Sequence, residues 1–117
     1  RFEQTLDWEH VGLHPSSAVH AMLQRAAAKA GRSIAYRAIV SNFDAAFRVV
    51  AANLAVSVVP AEVASPFASA RGVRVIPLSD AWAFRSFAIF HREREALAPP
   101  AQRMVDYLVA RAAEAGR

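Results

Sequence analysis

Two short polar runs hold the residues best suited to grip a ligand: "HPSS" at 14–17 and "SNF" at 41–43. Each follows an apolar run and precedes a helical pattern, so each sets hydroxyls beside the free N–H groups that open a helix. Such N–H groups and the helix dipole together favour a carboxylate or another small anion. In an open α/β sheet these turns lie beyond the carboxyl ends of the strands, where ligands bind. A plainer role competes. Ser16 and Ser41 can simply cap their helices, a contribution of about 1 kcal/mol each. The two roles are compatible, because a capped helix keeps further N–H groups free.

Other chemistry finds little support. There is no cysteine, which excludes disulfides, thiolate catalysis and cysteine metal sites. No serine sits in a G-x-S-x-G turn, and the four glycines are isolated, so no glycine-rich phosphate loop exists. Glu93 and Glu95 lie in "REREAL", which reads as a charged turn rather than an acid–base pair. His10 and His14 are four apart, but on a strand and its end rather than on one helix face. His20 and His91 have no partner nearby in sequence. No catalytic residue, metal site or cofactor is expected. Trp8 and Trp82 read as packing anchors rather than ligand platforms.

The elements that must position the polar runs follow from local pattern. Residues Arg1–Glu9 form a polar lead-in. "HVGLH" (10–14) reads as a buried strand before proline. Ser16 then caps a helix with Val19, Met22, Leu23, Ala26, Ala27 and Ala30 inward, His20, Gln24, Arg25 and Lys29 outward, and Gly31 as its stop. "SIAYRAIV" (33–40) is a second strand. Ser41 with Asp44 makes a capping arrangement for a helix carrying Phe43, Phe47, Val50 and Leu54. Asp44 and Arg48 form an i,i+4 pair, and Asn53 suits the left-handed end of the helix. "AVSVVP" (55–60) reads as a strand, "AEVASPFAS" (61–69) as a short helix broken near Pro66, and "GVRVIPL" (72–78) as a strand. "AFRSFAIFH" (83–91) reads as a strand apolar, hence buried, on both faces. After "PP" (99–100), Met104, Val105, Leu108, Val109 and Ala112 mark one face of a last helix ended by Gly116. The alternation predicts an α/β fold with a mostly parallel sheet flanked by helices.

Composition bounds this reading. A chain of 117 residues makes one compact domain, and 55% hydrophobic with 21% charged residues is a folded composition. The net charge of +4 is spread over scattered arginines with no basic run, so the residues themselves predict no nucleic-acid surface. No segment approaches the roughly 18 apolar residues of a membrane span, and no secretory segment opens the chain. The start at Arg1, in mid-pattern and without methionine, points to a piece of something longer.

The run "SNFDAAFRVVAANLAVSVVP" (41–60) resembles the signature segment of the effector-binding domain of LysR-type transcriptional regulators. "HVGLHPSSAVHAMLQRAAAKAGR" is similar to the first strand and helix of that domain's second lobe, "GVRVIPLSDAWAFRSFAIFHRE" to its later part, and "LAPPAQRMVDYL" to its C-terminal helix. Asn53 and Ala55 stand where the family usually has glycine. The resemblance implies a fragment of a two-lobed domain like type II periplasmic binding proteins, with about 10–90 as the second lobe and 97–115 as a helix returning to the missing first lobe. It implies a cytoplasmic bacterial regulator, dimeric or tetrameric, that binds a small effector, expected to be a carboxylate, in the inter-lobe cleft. DNA would be contacted only through a winged helix-turn-helix outside these residues. By position, Ser41, Asn42 and Phe43 would face the cleft, with Ser16 and Ser17 at or near it. The alternative is the second lobe of a periplasmic solute-binding protein. The last helix, lacking the lobe that would cover it, predicts self-association through residues 101–112.

Overall fold

The computed structural model describes residues 1–115, including every side chain but those of Ala70, Arg71 and Ala115. They divide into two compact units, residues 1–84 and 85–117. The position expected to end the last helix, Gly116, lies outside the described residues.

The first unit begins with a short helix, α1 (Phe2–Thr5), where a polar lead-in was expected. Phe2 and Leu6 are almost fully buried, and they form one core with Leu23, Ala27 and Ile34. Distant residues hold α1 in place. The Asp80 carboxylate accepts the Phe2 N–H at 2.7 Å. At the other end Arg32 donates to the Leu6 carbonyl at 3.1 Å and to the Asp7 carboxylate at 2.8 Å. An anion at the N-terminus and a cation at the C-terminus both oppose the helix dipole.

Strand β1 (His10–Leu13) follows, then helix α2 (Ala18–Lys29), strand β2 (Tyr36–Val40) and helix α3 (Phe43–Ala51). The strands pair in parallel, Val11 opposite Ala38 and Leu13 opposite Val40, as a β-α-β crossover requires. The register slips between His10 and Val11, so Arg37 is the extra residue, and it reaches Glu9 at 2.7 Å. Three successive β1 residues, His10, Val11 and Gly12, are buried, so both faces of the strand are covered. Gly31 and Asn53 end α2 and α3 as expected, with φ of 66° and 59°. In each case the chain closes two bonds onto the last turn: Arg32 N–H to Ala27 O and Gly31 N–H to Ala28 O, then Leu54 N–H to Val49 O and Asn53 N–H to Val50 O. The left-handed turn at Asn53 takes Leu54 off the α3 face, leaving it exposed.

The remaining strands of the expected sheet are not formed. Of "AVSVVP", only Val56 makes a parallel bridge, to His10, exchanging bonds with Glu9 and Val11 on the other side of β1 from β2. Gly72 is instead the left-handed end of α4, and residues 73–78 join no ladder, where Pro77 has no N–H to give one. The segment 83–91 is not a strand buried on both faces: Phe87 and Phe90 are 81% and 94% exposed. Apolar side chains favour a strand only where a neighbouring edge takes its backbone groups, and the described residues offer that segment none.

Helix α4 (Ala61–Arg71) is continuous through Pro66, where a break was expected. One backbone bond is lost there, the one to the Glu62 carbonyl. Packing outweighs it: Phe67 stacks on Phe47 with ring centroids 4.7 Å apart. Trp82, in a 3-10 turn (Ala81–Ala83), packs edge-to-face on Phe2 at 5.4 Å, the anchoring role expected of it. Trp8 is 65% exposed rather than a packing anchor, in a turn where its backbone N–H donates to the Thr5 carbonyl at 3.1 Å.

His10 is the buried polar residue of the core, with Nε2–H donating to the Thr5 carbonyl at 3.0 Å and its ring against Phe2. Burial, which disfavours the imidazolium, pushes its pKa below the usual value, although the bond to Thr5 opposes this. The unfolded chain therefore binds the His10 proton at a higher pH than the folded one. Stability is complete above the ordinary histidine value near pH 6.5 and falls as the pH drops through the folded pKa. Thermal melts from pH 7 to pH 5 should show the native chain losing stability relative to His10→Gln. Parallel curves would remove His10 as the cause.

In the second unit, helix α5 (Pro99–Ala115) is steadied at its start by Gln102, which donates to the Leu97 carbonyl at 2.9 Å. Arg94 grips Asp106 through its two terminal guanidinium nitrogens, and that hydrogen bonding holds the Asp106 carboxyl below the usual carboxylate range. Met104, Tyr107, Leu108 and Val109 on α5 are exposed.

Candidate functional site

Parallel pairing fixes where the two polar runs lie. Leu13 and Val40 are register partners and each ends its strand, so 14–17 and 41–43 both leave from the carboxyl end of the sheet. The structure thus brings the two sets of expected ligand residues, Ser16 and Ser17 with Ser41, Asn42 and Phe43, to one end of adjacent strands.

Within each run the capping residue is one place later than expected. Ser17, not Ser16, caps α2: its Oγ accepts the His20 N–H at 3.1 Å. Asn42, not Ser41, caps α3: its Oδ1 accepts the Ala45 N–H at 2.9 Å. Neighbouring polar residues offer equivalent oxygens, and backbone direction selects between them. Ser17 and Asn42 hold the extended backbone of an N-cap, with ψ of 143° and 165°. The two serines released from capping are exposed. Ser16 Oγ sits 2.9 Å from His14 Nδ1, which also accepts the Ser16 N–H at 3.3 Å. Ser41 Oγ accepts from Asn42 Nδ2 at 3.4 Å. Phe43 is half-buried at the first position of α3.

Capping predicts a split outcome in urea unfolding. Ser17→Ala and Asn42→Ala should each cost about 1 kcal/mol, and Ser16→Ala and Ser41→Ala close to nothing. Equal losses at all four positions would contradict the assignment.

Between β2 and α2, Tyr36 and His20 stack at 5.5 Å, with Gln24 reaching the Tyr36 hydroxyl at 3.5 Å. His20 was expected on the wet face of α2. It is half-buried instead, with Nδ1 shielded and unpartnered. Burial also pushes the Tyr36 hydroxyl pKa up. Sequence reasoning missed this pair; its signal was Gly12, which clears room for the Tyr36 ring on the adjacent strand.

His10 is spent on Thr5 and His14 on Ser16, at opposite ends of β1. Among the described residues no three histidine, aspartate or glutamate side chains gather as a metal site, and no helix is long and apolar enough to cross a membrane.

A family model described as the LysR substrate binding domain matches residues 1–113. The chain belongs to that family, the effector-binding domain of LysR-type transcription regulators, whose fold resembles periplasmic binding proteins. The small parallel sheet with its crossover helix is compatible with that α/β fold. Comparisons with curated proteins and with solved structures give no significant match.

Proposed function

We propose that this chain is the effector-sensing part of a bacterial, cytoplasmic LysR-type regulator that binds a small carboxylate through Ser16, Ser17, Ser41, Asn42 and Phe43. The observation that carries the reading is the convergence of two capped helix N-termini at the carboxyl end of paired parallel strands, in a chain of this family. The first N–H groups of α2 and α3 have no carbonyl one turn earlier to receive them, and a carboxylate supplies the missing acceptor. The exposed hydroxyls of Ser16 and Ser41 add bonds at the rim. In this reading residues of about 10–90 form the second lobe and 97–115 the helix that returns to the first, which completes the cleft. Asn53, left-handed at the end of α3, keeps the backbone conformation that the family usually gives to glycine.

The chain senses rather than catalyses. DNA is bound by a winged helix-turn-helix outside these residues, and the regulator works as a dimer or tetramer. The exposed stripe of Met104, Tyr107 and Leu108 on α5 supports association through residues 101–112, and a strict monomer in concentrated light scattering would contradict that contact. The reading frame upstream of Arg1 tests the function itself. A winged helix-turn-helix there agrees with a regulator. A secretory signal without one overturns it in favour of a transport receptor.

A further inference from the structure

The outer face of α2 and Trp82 enclose an open cavity of about 200 Å³, lined by Met22, Arg25, Ala26 and Lys29 with the indole. Its far wall is anchored. Trp82 is held edge-to-face on the buried Phe2 at 5.4 Å. Its 3-10 turn is closed by the Ala83 N–H on the Asp80 carbonyl at 2.9 Å, while the Asp80 carboxylate holds Phe2 at 2.7 Å. The aromatic wall is therefore preformed.

The near wall carries two positive charges. Arg25 and Lys29 stand four residues apart on one helix ridge, where like charges repel. Arg32, Arg37, Arg48, Arg94 and Arg111 each pair with a carboxylate. Arg25 and Lys29 have no such partner among the described residues, and neither do Arg74, Arg92 and Arg103. Lys29, in the last turn, gains from the helix dipole; Arg25, a turn earlier, gains little. Both face one small cavity, where a bound anion would relieve their mutual repulsion.

The geometry points to a second ligand site, for a single-ring aromatic carboxylate: ring between Trp82 and Met22, carboxylate on Arg25 and Lys29. Each part of the ligand meets its match. The indole face and the Met22 thioether suit an aromatic ring. Ala26, the smallest lining side chain, leaves space between them. A guanidinium and an ammonium provide charge-assisted bonds to the carboxylate. A cavity of 200 Å³ admits one ring and not a dinucleotide, since pockets for larger ligands start at about 300 Å³. The site is separate from the sheet end: eight residues of helix from Ser17 to Arg25 span about 12 Å.

The test is a benzoate titration of the 117-residue chain, followed by the indole N–H signal of Trp82 and assigned with Trp82→Phe. A saturable shift with Kd on the order of 1 mM is expected from a ligand of this size. Acetate should give no saturation at Trp82. Arg25→Gln and Lys29→Gln should each weaken benzoate at least about fivefold, and Arg111→Gln on α5 should leave it unchanged. Absence of saturation at Trp82, or equal affinity in the Arg25→Gln and Lys29→Gln chains, overturns the site. So does a response confined to the amides of Ser17, Ser41 and Asn42, which would leave the sheet-end reading standing.

Discussion

Phe47→Ala is expected to be the most damaging single substitution on α3, at a cost of about 3–5 kcal/mol. Phe47 is only 3% exposed, and its ring stacks on Phe67 at 4.7 Å. It stands beside Ala46, which is fully buried, so α3 contributes two successive inward positions. Removing the ring takes away its transfer free energy and leaves a void that neighbouring elements cannot fill, because α4 is already fixed by its Pro60 start and its Gly72 end. The loss also uncovers Phe67, whose packing compensates the proline inside α4. Melting of that helix should therefore accompany the loss of α3. In a unit of this size, 3 kcal/mol corresponds to at least about 12 °C in Tm. Circular dichroism and a urea titration measure both. A loss below about 1 kcal/mol would mean that α3 and α4 do not share a core.

Gly12→Ala is the second large effect, and it acts by crowding. A Cβ at Gly12 would lie 2.4 Å from Tyr36 Cε1 and 3.1 Å from Ile39 Cδ1. The ring cannot simply swing away, since it is stacked on His20. Overpacking of this kind costs about 1–3 kcal/mol. Gly12→Val should exceed Gly12→Ala, because a branched side chain extends the clash. The cause can be isolated. In a Tyr36→Ala background the Gly12→Ala penalty should largely disappear, a coupling that a double-mutant cycle reads directly. An unchanged penalty would place the strain in the backbone of β1 rather than in the aromatic contact.

Both residues illustrate what local pattern reveals. Phe47 was legible from its spacing with Phe43 and Val50, and Gly31 and Asn53 from their chemistry as helix ends, because those signals lie within one turn of the residue concerned. Strand β1 was legible as a short apolar run before a proline. The capping assignments erred by one residue at both helices, since Ser16 and Ser17, like Ser41 and Asn42, are adjacent and chemically interchangeable until backbone direction is known. Helix α1 was not legible. Its support comes from Asp80 and Arg32, and no window of sequence around residues 2–5 contains them. The missed strands failed for the opposite reason. Residues 83–91 have strand composition, but composition does not supply the edge that an extended segment must pair with. The common location of the two polar runs was readable, because parallel pairing and strand ends follow from the order of elements. The His20–Tyr36 stack was not, as it depends on the space left by a glycine on a neighbouring strand.

The clasp between Phe2 and Asp80 has a consequence for how the first unit can be handled. Its two ends are neighbours: the backbone of Phe2 is bonded to Asp80, and its ring meets Trp82. A domain whose ends meet can be spliced into a loop of a host protein, entering and leaving at nearly the same point. It can also be circularly permuted, with a short linker across the clasp and new ends opened at the exposed turn of Gly31 and Arg32. For the same reason the unit is sealed late: the clasp joins residues 78 apart, a long loop to close before α1 is held in place.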